Sequence, residues 1–390
     1  MSAFLDLEIC KKLREKINQS PIFAHDDKYR SDYYFLCAVM DRVDSSVKFL
    51  NTHSQTLKSE EDLIIFFVFA CMIIDAVKLT HKQLKIEYKY DVNNSSPENY
   101  MYFGETCSNE PMNLVDSFRP TDDKFFEYIR SLIFAHPFET NRPKFFKEKE
   151  VQYSPWVIVN SCLPKIPNAV GVRVYTNIHS NDSWDSIQNI VFPYSTLKEY
   201  IKSRYQLFEN VTKWADDEIE KSNAKFAERK INRNLPPSKV LKDVLEILEA
   251  RFIDDRYDVA EAIRFLECNS SVQENNNAIE KFRNAITEVI PQICDKVDAL
   301  NYDWDFDDVL RARPKVMHNN ARYQLEKIYD YLNDYHDCSN QKWGLEQANA
   351  FANEFAKKHV TIKPFEMSYD EIKMLVSLAC YFEKLEQDES

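Results

Sequence analysis

The stretch LIIFFVFACMII, residues 63–74, decides the fold because it is apolar on every side. Such a short run is not long enough for a helix to cross the roughly 30 Å hydrocarbon core of a bilayer. The acidic stretch just before it offers Ser59 as a candidate N-cap and Asp62 at the third helical position. These features predict a fully buried helix, continuing at least to Leu79, at the centre of a helical core.

Helical patterns flank this run on both sides. From Asp32 to Leu50 apolar residues recur about every four positions, and Thr121 is a candidate N-cap for FFEYIRSLIFAH, residues 125–136, which Pro137 ends. Beyond residue 236 the same periodicity predicts helices at 238–252, 256–268, 273–299, 304–335, 343–358 and 368–386. The chain is therefore predicted to be mainly α, with an N-terminal and a C-terminal helical bundle.

The middle of the chain has a different pattern. Three stretches are rich in Val, Ile and aromatic residues: VQYSPWVIV (151–159), VGVRVYTN (170–177) and IQNIVFPY (187–194). Turn-forming residues separate them, so they predict a small central antiparallel β-sheet of about three strands. A helical pattern from 195 to about 233 follows, which is longer than an ordinary globular helix, and the linker NLPPS (234–238) comes next.

These patterns divide the chain into a helical domain (1–150), a small β-sheet insertion (151–194), a long connecting helix with its linker (195–235) and a C-terminal helical domain (236–390). The apolar stripe of the long 195–233 helix has near-heptad spacing, which is typical of helices that pair. It could therefore bind a protein partner, and the simpler alternative is that it packs along its own chain.

Composition excludes several functional classes. Only 3 of the 390 residues are Gly, which excludes glycine-rich phosphate loops and the nucleophile elbow of hydrolases. A net charge of −13 argues against broad, non-specific binding of nucleic acid, although it permits a local basic patch. The 9 cysteines form no CxxC pair, and the N-terminus has no signal-peptide pattern, which predicts reduced thiols in a cytoplasmic protein. We expect no cofactor, no metal site and no membrane segment.

After these exclusions, the remaining candidate for a catalytic motif is the stretch RSLIFAHP, residues 130–137. Histidine as a residue type can act as a general acid or base near neutral pH, and arginine can bind phosphate, so His136 and Arg130 are candidate catalytic residues. Such a pair suffices to cleave RNA without a metal. The alternative is structural, because basic residues at a helix C-terminus interact favourably with its last carbonyl groups, and His136 falls on the predicted apolar face.

The longer stretch IRSLIFAHPFETNR, residues 129–142, resembles the signature of HEPN domains, in which an Arg precedes a His by a few residues. The resemblance is sharpest to the abortive-infection type, and the matching positions are Arg130, Ala135, His136 and Arg142, with Ser131 where Asn, Asp or His is common. It covers about residues 30–145 and implies an all-α bundle that dimerises, with the site where two motifs meet. Arg142 and Glu139 could then hold a phosphate or orient His136.

The geometry of a straight α-helix bears on this motif. Six residues turn through about 600°, so Arg130 and His136 would point about 120° apart. A composite site between two copies, or a distorted last turn, would be required to bring them together. A second Arg–His spacing, Arg313 to His318, has Pro314 directly after the Arg and is a candidate second site, with a plain helix as the alternative.

Two functions of different classes follow from these observations. The first is a metal-independent endoribonuclease of HEPN type in a prokaryotic defence or toxin–antitoxin role, with RNA as substrate and a second copy of the chain as partner. The second is a non-catalytic helical module for protein interaction or regulation, which would use the 195–233 helix. The sequence leaves open whether the chain is an enzyme.

Overall fold

The computed structural model of the chain forms two compact units, Met1–Ile219 and Glu220–Ser390. It describes residues 3–53, 57–90, 96–104, 106, 120–136, 152–161, 168–176, 187–254, 256–304, 306–333 and 337–390. Helices dominate both units, and a small antiparallel sheet lies in the first. This confirms the predicted mainly-α fold class.

The first unit is a helical bundle with the sheet inserted late in its sequence. Its described helices are α1 (Leu7–Gln19), α2 (Pro21–His25), α3 (Arg30–His53), α4 (Glu60–Gln83), α5 (Asp122–Arg130) and α6 (Tyr194–Tyr205). Helix α7 (Phe208–Glu228) begins in this unit and continues past its last residue. The predicted ranges 1–150 and 151–194 therefore fall within one compact unit.

Helix α4 contains the apolar run and packs against α3, α6 and the sheet. It begins with the predicted capping box, in which Ser59 and Asp62 exchange side-chain-to-backbone hydrogen bonds. Its length and composition would also suit a membrane span, but 56% of its most apolar window is buried inside the protein, as in the core helix of a helical bundle. The prediction of a fully buried helix is wrong in part, because Ile65, Met72 and Leu79 are exposed.

The three predicted strands form one antiparallel sheet in the order β1 (Gln152–Ser161), β2 (Ala169–Thr176), β3 (Ile187–Pro193). Alternating side chains divide it into two faces. One face packs into the core of the first unit through the buried residues Val170, Val172, Val174, Ile190 and Phe192. The opposite face includes Trp156 on β1, which is 48% exposed.

The single long helix predicted for 195–233 is wrong, because the chain breaks it at Gln206 and Leu207 into α6 and α7. The apolar stripe of α7 is covered within its own unit. Trp214 lies 5.8 Å from the ring of Phe23 and 6.4 Å from that of Tyr29, measured between ring centres. The apolar stripe therefore packs along its own chain. A protein partner of α7 would have to bind its polar side.

The second unit is a helical bundle throughout its described residues. After the end of α7 it contains α8 (Pro237–Ala250), α9 (Tyr257–Glu267), α10 (Asn276–Asp298), α11 (Ala321–Tyr331), α12 (Cys338–Glu354) and α13 (Tyr369–Glu389). The helix predicted for 304–335 is wrong over its first half, because α11 begins only at Ala321. Turns precede it, and Pro314 lies among them and offers no backbone N–H to a helix.

Candidate functional site

The Arg–His motif lies where helix α5 changes its hydrogen-bonding pattern. Thr121 caps the start of α5, and regular α-helix continues to Arg130. Residues Ser131–Ala135 then form a π-helical turn, at whose end the N–H of His136 donates to the Ser131 carbonyl over 2.7 Å. Single π-helical turns are rare in proteins, and many of those that do occur are found at functional sites.

The π-turn decides which side chains of the motif reach solvent. Leu132 and Ile133 are buried and anchor it, whereas Ala135 and His136 are exposed. His136 leaves helical geometry, with φ −144° and ψ 57°. The alternative in which His136 lies on an apolar core face is therefore wrong, because the wider turn rotates it away from the regular spacing of α5.

Arg130 is partly exposed and is held by an acid on another helix. Its Nη1 lies 3.1 and 3.3 Å from the two carboxylate oxygens of Asp75 on α4. Its guanidinium carbon lies 5.9 Å from the centre of the Phe134 ring. Because both members of the ion pair contact solvent, it contributes little to stability. Its effect is positional, since Asp75 orients the guanidinium and offsets part of its charge.

The side chains of Arg130 and His136 make no hydrogen bond with each other within the described residues. The last turn of α5 is distorted, which was one of the two ways in which Arg130 and His136 could be brought together. The distortion alone does not bring their side chains into direct contact. A site that used both would need a substrate between them or a second copy of the chain. Glu139 and Arg142 lie outside the described residues.

Cys71 on α4 lies near this ion pair, since the charges of both Arg130 and Asp75 act on its thiol. Burial raises the pKa of its thiol to about 12, and the positive charge of Arg130 opposes that shift only in part. The thiol therefore stays protonated at neutral pH, and it is a core residue.

The second predicted pair lies in the second unit. Arg313 is exposed and His318 is partly buried, both in the turns before α11. The Nδ1 of His318 lies 3.4 Å from the Oε2 of Glu354, and its ring packs near Phe351 and Phe355 at 6.4 and 6.1 Å. These are the surroundings of a packing residue, and no contact joins His318 to Arg313 in the described part of this unit.

An exposed apolar stripe runs along α4 beside the Arg130–Asp75 ion pair. Ile65, Met72 and Leu79 recur at heptad spacing and are 44%, 37% and 54% exposed. Asp75 lies within one helical turn of both Met72 and Leu79, so the stripe borders the candidate site. Exposed apolar side chains that recur along one face of a helix are a feature of protein interaction surfaces.

The other end of α5 is fixed by a buried charge network. The Oδ1 of Asp123 accepts hydrogen bonds from Arg204 Nε at 2.8 Å and from the Tyr200 hydroxyl at 2.9 Å. Its Oδ2 accepts one from the Tyr88 hydroxyl at 2.6 Å and lies 3.2 Å from Lys78 Nζ. Burial alone would raise the pKa of Asp123, but Arg204 and Lys78 outweigh it and hold that pKa below its ordinary value.

Sequence reasoning missed both acids that position α5. Asp75 lies inside the apolar helix α4, and Asp123 follows the N-cap candidate Thr121 by two positions, but neither acid was predicted to have a functional or structural partner. An acid inside so apolar a helix was the available signal for Asp75, because such a residue needs a partner. The partners of Asp123 are distant in sequence, so no spacing could reveal them.

The described residues also contain a group with ligand types suited to a metal ion. The ligand atoms of His359, Glu383 and Glu386 in the second unit all lie within 4.8 Å of one another. The ammonium group of Lys358 contacts both carboxylates, and His359 Nε2 lies 3.0 Å from Glu383. A cation of the protein itself thus occupies the position between the two carboxylates, and we interpret the group as an ion-pair network.

Comparison with known proteins identifies no relative of this chain. No family model matches the chain, and neither does any curated protein or solved structure. The HEPN resemblance therefore rests on the motif residues alone, and the function has to be argued from the geometry of the site.

Proposed function

We propose that the region around Arg130 and His136 is the active site of a metal-independent endoribonuclease of HEPN type. The observation that supports this proposal is the π-turn. A rare helical distortion coincides with the motif and leaves His136 exposed six residues beyond Arg130. The defence or toxin–antitoxin role that the resemblance implies belongs to the same proposal.

The chemistry needs one group that moves protons and one that stabilises charge. His136 takes the proton of the ribose 2′-hydroxyl while water protonates the leaving 5′-oxygen, or His136 gives a proton to that oxygen while water takes the 2′-hydroxyl proton. The 2′-oxygen attacks phosphorus, the bond from phosphorus to the 5′-oxygen breaks, and a 2′,3′-cyclic phosphate and a 5′-hydroxyl result. Arg130 stabilises the negative charge that develops on the phosphate oxygens. Asp75 is a positioning residue, since it orients the guanidinium over 3.1 Å without touching RNA.

A second copy of the chain completes the site in this proposal. The exposed stripe of Ile65, Met72 and Leu79 borders the Arg130–Asp75 pair and supplies an apolar surface for that copy. Pairing through it would place two motifs next to one another, which offsets the divergence of Arg130 and His136 within one chain. The same stripe would serve the alternative function, a non-catalytic interaction module, and cleavage distinguishes the two.

His136→Ala is expected to lower the rate of RNA cleavage by about 10²–10⁴-fold, the usual contribution of a general acid or base. The measurement uses the purified full chain with EDTA, a panel of single-stranded and structured RNAs, and detection of 2′,3′-cyclic phosphate ends. Arg130→Ala should give a similar loss, whereas His25→Ala on α2 should retain full activity. Equal cleavage by wild type and His136→Ala, or none by wild type on any RNA, would overturn the proposal.

Leu79→Lys is expected to convert a homodimer into a monomer and to abolish cleavage together with dimerisation. A charge placed within an apolar interface must be desolvated without a partner. Light scattering after size exclusion should change from twice 46.1 kDa to 46.1 kDa, with an unchanged circular dichroism spectrum. Leu7→Lys on α1, where Leu7 is 45% exposed, is the matched control and should remain dimeric. A monomeric wild type with full activity would contradict the composite site.

A further inference from the structure

The outer face of the sheet presents an aromatic ring and a cation side by side. Trp156 on β1 and Arg173 on β2 are directly opposite one another in the strand register. The guanidinium carbon of Arg173 lies 5.5 Å from the centre of the Trp156 indole, and its Nε donates to Asn189 Oδ1 on β3 over 2.9 Å. Trp156 remains 48% exposed in this arrangement.

An irregularity in β1 sets the direction of Trp156. The register between β1 and β2 shifts between Tyr153 and Trp156, so β1 has more residues there than its partner strand. Pro155 lies within this segment, and a proline interrupts a strand because it cannot donate to the ladder. Such bulges redirect side chains and are common next to binding sites.

A cavity of about 440 Å³ opens beside this pair. Its lining consists of Lys58, Ser59 and Glu60 at the start of α4, the β1 residues from Trp156 to Val159, and Arg173. Among the described residues, the backbone N–H of Lys58 donates to Asp62 and the Arg173 guanidinium donates to Asn189, and neither side-chain cation is paired with a described carboxylate. In a chain of net charge −13, these two cations share one opening, which Glu60 also lines.

We propose that this cavity binds a nucleotide, with the base against the exposed part of the Trp156 indole and the phosphate between Lys58 and Arg173. Indole rings stack on bases of any sequence, and a guanidinium binds phosphate oxygens with paired hydrogen bonds. The ligand is either a free mononucleotide or one residue of a single strand, since both offer a base and a phosphate. Binding here does not depend on cleavage at His136.

The test measures binding of a fluorescein-labelled oligoadenylate with 2′-O-methyl riboses, which no attack by a 2′-hydroxyl can cleave. Fluorescence anisotropy with the full chain should show saturable binding, and Trp156→Ala and Arg173→Met should each weaken it by at least about tenfold. Glu60→Gln should strengthen it, because it removes a negative charge from the lining of the same opening. Trp343→Ala is the matched control, since Trp343 is 42% exposed in the second unit.

Competition identifies the source of the ligand. Displacement of the probe by AMP as well as by unlabelled strand indicates a free nucleotide, and displacement by the strand alone indicates RNA. Either result supports the site. Displacement by inorganic phosphate as effective as that by AMP would overturn the proposal, because the base would then contribute nothing. So would wild-type affinity in Trp156→Ala, no binding by wild type, or displacement by an acidic peptide at matched concentration.

Discussion

Asp123→Asn is expected to lower the free energy of unfolding by about 3–5 kcal/mol, the cost of leaving a buried charge without its partner. The side chains of Asp123 and Arg204 are only 5% and 1% exposed, so water cannot replace the lost carboxylate. The amide keeps the shape of Asp123 and can still accept from Tyr200, which isolates the effect of charge. The measurement is urea denaturation of wild type and variant at pH 7, followed by circular dichroism.

The effect should depend on pH with a defined sign. Arg204 and Lys78 hold the pKa of Asp123 below its ordinary value of 3.8, against the opposing effect of burial. A lowered pKa means that the ionised carboxylate stabilises the fold fully above about pH 4 and loses that contribution as pH falls through the folded-state pKa. The difference between wild type and Asp123→Asn should therefore be constant from pH 5 to 8 and shrink below pH 4.

Glu127→Gln is the matched control for this substitution. Glu127 lies on the same helix and contacts the same Lys78, at 2.8 Å, but its side chain is 53% exposed. Exposed ion pairs contribute about 0–1 kcal/mol, so this variant should unfold nearly as wild type does. Equal losses in the two variants would show that burial of Asp123 does not control the stability of the network.

Elements of the fold were predictable where neighbouring residues in the sequence specify a helix or strand and the apolar pattern agrees with it. The capping box at Ser59, the apolar run of α4 and the β-branched stretches at 151–194 each specify an element through neighbours in sequence, and each element is present. The break at Gln206 and Leu207 was not predictable from periodicity, because the apolar stripe continues on both sides of it. Packing of Trp214 against Phe23 lies on the far side of that break, and no local signal encodes it.

The candidate site was predictable only as a pair of residue types. RSLIFAHP gave Arg130 and His136, but a π-turn has no sequence signature, and its effect was to expose His136 rather than bury it. The acid that holds Arg130 belongs to another helix, 55 positions earlier in the chain. Each end of α5 is thus fixed by an ion pair. The acid at its start, Asp123, is buried, whereas the acid that holds Arg130 at its end, Asp75, is exposed. Only the buried one is expected to matter for stability.

Arg251→Met is expected to destabilise the protein by about 3 kcal/mol through loss of hydrogen bonds to helix ends. Arg251 follows α8 and is only 2% exposed. Its Nη1 donates to the Val297 carbonyl at 2.6 Å, near the end of α10. Its Nη2 donates to the carbonyls of Phe226 and Arg229, at 2.9 and 3.2 Å, around the end of α7. Methionine fills a similar volume but removes all three of these hydrogen bonds, and the Val297 carbonyl keeps only backbone donors such as the Leu300 N–H at 3.1 Å.

The sign of this prediction depends on two opposing costs. Burying a guanidinium is unfavourable, so its removal recovers part of the desolvation energy. Against this, the partial negative charge at helix C-termini favours a cation, and three carbonyl groups each lose the hydrogen bond from the guanidinium at once. Arg251→Lys separates the two, because it keeps the charge but cannot reach acceptors on both sides with a planar fork. We expect it to be nearly as destabilising as Arg251→Met in urea denaturation.

Arg229→Met supplies the comparison at the surface of the same unit. Arg229 contacts Asp243 and Glu246 at 3.0 Å each, but its side chain is 47% exposed, so its loss should cost less than about 1 kcal/mol.

If Arg251→Lys retained wild-type stability, charge at the helix ends would be sufficient and the forked hydrogen bonds would be dispensable. Since the bonded carbonyls belong to separate helices, we expect the fork itself to be required.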